Sequence, residues 1–180
     1  RHPRFDRPYD QLTYEPQQQL LTYLRDNGFR TFIVSGGGAD FMRVFSQRVY
    51  GIPPEQVVGS TGSVTFELRD GEPVLVKGAD HVFVDDKAGK PAGIHMFIGK
   101  RPIMAVGNSD GDQAMLQYTT IDNPLPSLGV LIHHTDAERE YAYDADPPAS
   151  GTLVTALEQA GPAGWTVVDM RNDWNQVYAE

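Results

Sequence analysis

The chain has 180 residues, a formal net charge of −9, a pI near 4.9 and no cysteine. Its length suits a single domain whose core can fold without staples. Its charge argues against a nucleic-acid partner, which needs clustered Lys and Arg, and the absence of thiols excludes disulfides, zinc thiolates and cysteine nucleophiles. No apolar run approaches the roughly 20 residues of a membrane span. The composition leaves the compartment open between periplasmic or secreted and cytoplasmic.

The opening RHPRFDRPYD has no initiator Met, signal peptide or apolar first strand, and reads as the tail of something longer. After it, EPQQQLLTYLRDNG places Leu20, Leu21 and Leu24 on one helical face, with Pro16 in the first turn and Gly28 as the stop. TFIVSGGG is a short apolar run ended by glycines, read as a buried strand. ADFMRVFSQRVYG repeats Phe41, Phe45 and Val49 at helical spacing. QVVGS is a further short strand. SVTFELRDGEPVLVKG alternates on both sides of Asp70-Gly71, the pattern of a β-hairpin, here an insert over about 63–77. A loop through Asp85, Asp86 and Lys87 leads to a helix starting near Lys90. PIMAVG is the next strand, DGDQAMLQYT the next helix, and GVLIHH a strand ending in two histidines. Thr135 and Glu138 have the spacing of a capping box. GTLVTALEQAG closes the series as an amphipathic helix and WTVVDM as a strand. Helices alternating with apolar strands predict one α/β domain over 1–180, a doubly wound, mostly parallel sheet with helices on both faces.

In such sheets ligands bind beyond the carboxyl ends of the strands. There the chain delivers Ser35-Gly36-Gly37-Gly38, then Gly107-Asn108-Ser109-Asp110-Gly111-Asp112, then His133 and His134, with Lys87 and Lys90 in the loop before the intervening helix. A hydroxyl with backbone amides, ammonium groups and several oxygen ligands suits a phosphoryl group with Mg²⁺. Each part also has a plain structural role. The glycines serve a strand-to-helix turn, the lysines are solvated loop charges, and Asp110 and Asp112 cap the following helix. The segment fails as an EF-hand, and SGGGAD fails as a dinucleotide fingerprint, because residue 41 is Phe. Adjacent on a strand, His133 and His134 face opposite ways, so only one of them can line a site.

In this order the segments resemble the haloacid dehalogenase superfamily of hydrolases, especially its phosphoserine-phosphatase-like branch. FIVSGGG resembles the family's second motif, which implies that Ser35, with Gly36 and Gly37, holds phosphoryl oxygens. GKPAGI resembles the third, implying Lys90 as the motif lysine with Lys87 as the fallback. AVGNSDGDQAML resembles the fourth, with Asn108 and Asp112 in its two acidic places and Asp110 as a further metal ligand. Asn108 stands where the family usually has a carboxylate. The first motif, an apolar strand followed by Asp-x-Asp-x-Thr, has no match: VFVDDKAG has adjacent aspartates without a Thr in register, and YDADPP follows no strand.

The resemblance implies a nucleophilic aspartate upstream of Arg1, together with a cap. It further implies a Mg²⁺-dependent phosphatase acting on a small phosphomonoester through an aspartyl phosphate, with the 180 residues inactive alone and open to pairing with the missing N-terminal segment or another chain. The serine followed by glycines suits phosphate better than a halide. The rival reading is a non-catalytic α/β binding or interaction module on the same scaffold.

Overall fold

Parallel strands need crossover connections, and the runs between this chain's apolar strands are long enough to supply them. The computed structural model describes residues 1–147 and 151–179. Its order is α1 (Glu15–Asp26), β1 (Ile33–Gly38), α2 (Ala39–Arg43), α3 (Ser46–Tyr50), β2 (Val57–Arg69), β3 (Glu72–Phe83), α4 (Gly89–Gly93), β4 (Met104–Gly107), α5 (Gln113–Thr120), β5 (Leu128–His133), α6 (Thr155–Ala163), β6 (Thr166–Asp169) and α7 (Met170–Asp173). The fold is α/β, with helices around two small, mostly parallel sheets ordered β1-β2-β3 and β4-β5-β6. The sequence pattern predicts one sheet instead. Among the described residues no strand pairs with the second edge of β1 or of β4.

The β4-β5-β6 sheet is the better covered. Along β5, Leu131 packs on one face with Leu116 of α5, Ala156 and Ala160 of α6 and Trp165, while Val130 and Ile132 pack on the other with Met170, Trp174 and Val177. A strand buried on both faces needs the unbroken apolar run that the sequence supplies. A third cluster joins Met42, Ile52 and Val57 with Leu21 of α1 and Ile33 of β1.

Several expectations change in detail. Residues 39–50 form two short helices, broken at Phe45, whose φ of −124° leaves the helical region. The buried face carries Ala39, Met42 and Ser46, whereas Phe41 is 73% exposed. β1 is only half buried because its open edge lacks a neighbour. The hairpin is no separate insert: β2 runs 13 residues, pairing parallel with β1 through Val57–Ser60 and antiparallel with β3 beyond. Asp70 and Gly71 both take positive φ, at 53° and 85°, as a two-residue type I′ turn requires. The Thr135 capping box does not form. The Asp136 carboxylate instead accepts from the Glu138 and Arg139 amides in a tight turn, and Thr135 Oγ1 donates to Asp169. Among the described residues no helix is long and apolar enough to cross a membrane.

Leu131 is fully buried at the centre of the larger cluster. Leu131→Ala is expected to lower unfolding free energy by about 2–5 kcal/mol, read from urea midpoints; a loss below about 1 kcal/mol contradicts this placement of the core.

Candidate functional site

A cleft of about 1240 Å³ opens between the carboxyl ends of β1 and β4, and its lining includes Ser35, Gly36, Asp86, Lys90, Asn108 and Asp112. The three segments singled out in the sequence therefore meet in one place. Lys87 also lines the cleft, but from an exposed position with a φ of 50°.

Lys90 reaches the cleft from α4 and is 6% exposed. Its Nζ donates to the Val34 carbonyl of β1 at 2.7 Å and stands 3.1 Å from Asp112 Oδ1. Two charges this well covered need each other, because removing either leaves the other desolvated and unpaired. Asp112 is used on both oxygens. Oδ2 accepts from the Asn108 amide at 2.9 Å, the Ser109 amide at 3.2 Å and Ser109 Oγ at 3.3 Å, closing the turn between β4 and α5. Gly107 permits this fold-back, since a Cβ there would lie 2.4 Å from Asp112 Cβ.

Asp110 is committed elsewhere. Its Oδ1 accepts from the Val154 and Ala156 amides at 3.0 and 2.9 Å, capping the start of α6, and Oδ2 accepts from Thr152 Oγ1 at 3.4 Å. Ser35 sits half-buried within β1, at the last regular pair before its register shifts, its Oγ accepting from the Gly37 amide at 3.2 Å. Asn108 follows β4 directly, with its amide nitrogen 3.1 Å from His134 Nε2. His134 is buried and His133 half-buried, and neither is among the residues that line the cleft.

Of the aspartate pair before Lys90, Asp86 lines the cleft and Asp85 lies buried behind it, although motif matching along the sequence selects neither. Asp86 lines the cleft with its Oδ1 only 2.8 Å from where a Cβ on Gly111 would stand and 3.6 Å from one on Gly36, between the two motif turns. Asp85 is fully buried beneath α4, and neither oxygen has a partner of hydrogen-bonding geometry. Burial pushes its carboxyl up to about 6, against the downward pull of the Lys90 ammonium and of the nearby Ser35 amide, whose approach falls short of hydrogen-bond geometry. The signal in the sequence is an apolar run ending in two acids, which lacks the Asp-x-Asp-x-Thr register.

Among the described residues no group of three or more His, Asp or Glu side chains converges as a metal cage. Asn108 Oδ1 and the Asp86 carboxylate are cleft oxygens that accept no hydrogen bond from the described residues. Magnesium binds through one or two carboxylates plus waters and substrate oxygens, so this donor set fits it in part. No family model matches the chain, and no curated protein sequence matches it.

Asp85 predicts a pH effect. An acid whose folded pKa is raised from 3.8 to about 6 favours the fold while protonated, and that contribution is lost as pH rises through about 6. Asp85→Asn is expected to be more stable than the parent at pH 8, by up to about 3 kcal/mol, and equal to it near pH 4. Urea midpoints at the two pH values read the difference; a variant less stable at pH 8 overturns the prediction.

Proposed function

We propose that this chain is the core portion of a Mg²⁺-dependent phosphatase of the haloacid dehalogenase type, with a doubly wound core, acting on a small phosphomonoester. The observation that carries the reading is the contact between Lys90 and Asp112, 3.1 Å apart in a cleft that Ser35 and Asn108 also line. Three motifs distant in sequence meet there at strand ends.

In this reading Ser35 Oγ and the amides of Gly36 and Gly37 hold phosphoryl oxygens, and Lys90 supplies positive charge to a site on an acidic protein. The nucleophile is an aspartate outside these 180 residues, on an extended segment seated between the open edges of β1 and β4. Its carboxylate oxygen forms a bond to phosphorus as the bond to the leaving alkoxide breaks, and water then hydrolyses the aspartyl phosphate. Bound Mg²⁺ would neutralise charge on the phosphoryl oxygens, with Asn108 Oδ1 and Asp86 as this chain's own donors. Asp112 holds Lys90 in place, and Asp110 anchors α6 beside the site.

A second reading, the non-catalytic α/β module, draws on the absence of a three-ligand cluster among the described residues. Turnover of p-nitrophenyl phosphate with Mg²⁺ separates the two. The 180-residue chain is expected to be inactive, while a longer chain carrying an upstream Asp-x-Asp-x-Thr strand turns the substrate over. In that longer chain Lys90→Ala should lower kcat/KM by about 10²-fold or more. A thermal melt checks that the variant still folds, since stranding Asp112 costs about 3–5 kcal/mol. Turnover by the 180 residues that Lys90→Ala abolishes sinks the external nucleophile, and inactivity of both chains supports the module.

A further inference from the structure

The structure assigns Glu140 and His134 as positioning residues that fix the side-chain amide of Asn108, NH₂ inward and carbonyl oxygen toward the cleft. This rests on the reading of Asn108 as an oxygen donor in the proposed site.

Asn108 and His134 follow β4 and β5, parallel neighbours registered Gly107 to Leu131, so the two side chains meet at one end of the sheet. The His134 side chain is fully buried. Its ring stacks on Tyr143 with centroids 4.3 Å apart, and Tyr14 lies 6.0 Å away. Nδ1 is 3.1 Å from Glu140 Oε2, and Nε2 is 3.1 Å from Asn108 Nδ2. Glu140 is itself largely covered, and the Tyr178 hydroxyl approaches its other oxygen at 3.5 Å. Burial, and after it the charge on Glu140, pushes the phenols of Tyr14, Tyr143 and Tyr178 upward.

Donor and acceptor roles then follow in sequence. A carboxylate only accepts, so the proton on the facing imidazole nitrogen is on Nδ1. In the neutral ring Nε2 is left as an acceptor, and a buried acceptor without a donor costs about 1–3 kcal/mol. The Asn108 NH₂ is the donor that the described residues place there. The amide is thereby held in one of its two orientations, and Oδ1 is the atom left facing the cleft.

The relay also gives residue 108 a reason to be Asn. An aspartate would present only acceptor oxygens to Nε2, so the ring would have to carry a second proton to satisfy both neighbours. An amide meets the neutral ring and in doing so takes a single orientation. Outer partners of this kind commonly change metal affinity by about 10–100-fold when removed.

Long-range ¹⁵N–¹H NMR on the 180-residue chain at neutral pH tests the assignment, with His134→Gln identifying the His134 signals. The expected spectrum is the neutral Nδ1–H tautomer, with a pyridine-like Nε2. An Nε2–H tautomer or a doubly protonated ring in the parent chain overturns the inference. Glu140→Leu removes the acceptor at Nδ1. It is expected to move the proton to Nε2, turn the Asn108 amide over and weaken Mn²⁺ binding by about tenfold in a chain that a thermal melt shows to be folded. An unchanged tautomer in a folded Glu140→Leu variant also overturns it. If the parent chain shows the Nδ1–H tautomer yet binds no Mn²⁺, the metal reading fails while the relay stands.

Discussion

The ammonium of Lys90 is held between the two halves of this protein. It donates to a carbonyl of β1, at the end of one sheet, and faces a carboxylate that closes the turn after β4, at the end of the other. Lysine is seldom buried, and an uncompensated ammonium at this depth is a large cost. Both partners must therefore stay where they are. That requirement fixes α4 against β1, fixes the turn between β4 and α5, and keeps the cleft open between them. The tight glycine at 107 and the half-buried serine at 35 are consequences of the same constraint: one lets Asp112 fold back, and the other occupies the strand end that Lys90 anchors.

Around this contact the polar groups divide by neighbourhood. Asp112 and Asp110 are saturated with donors from their own turn and from α6, which makes them structural anchors as well as cleft residues. Asp85 is the reverse case, covered and without a donor at hydrogen-bonding geometry among the described residues, and its burial pushes its carboxyl above the usual carboxylate range. Asn108 and Asp86 keep oxygens free. Chemistry in the cleft therefore falls to fewer groups than its roll of acidic residues implies.

How much of this is legible in the chain depends on the range of the interaction concerned. The Asp70-Gly71 turn is readable because its two positive φ values are a local demand. The strand ends bearing Ser35 and Asn108 are readable because an apolar run stopped by glycine is local too. The face of residues 39–50 is not: helical spacing favours Phe41, Phe45 and Val49, whereas contact with β1 and β2 buries Ala39, Met42 and Ser46. Thr135 has the spacing of a cap, but Asp169, 34 positions away, takes its hydroxyl. Strand alternation turns His134 away from His133, yet its link to Glu140 depends on a turn with no periodic signal. Asp85 and Asp86 lack a motif's register; the fold brings Asp86 to the cleft and buries Asp85 behind it, near Lys90.

Ser60 lies at the root of the long β2–β3 hairpin. Its hydroxyl donates to the Gly36 carbonyl at 2.8 Å and accepts from the Asp85 amide at 3.0 Å, so one side chain staples the arm to the second half of β1 and to the aspartate pair. The exposed Lys77–Asp40 pair ties the arm to α2 from the side. The root of the hairpin is therefore built into the wall of the cleft through Gly36, and the arm and that wall share one hydrogen-bonded junction.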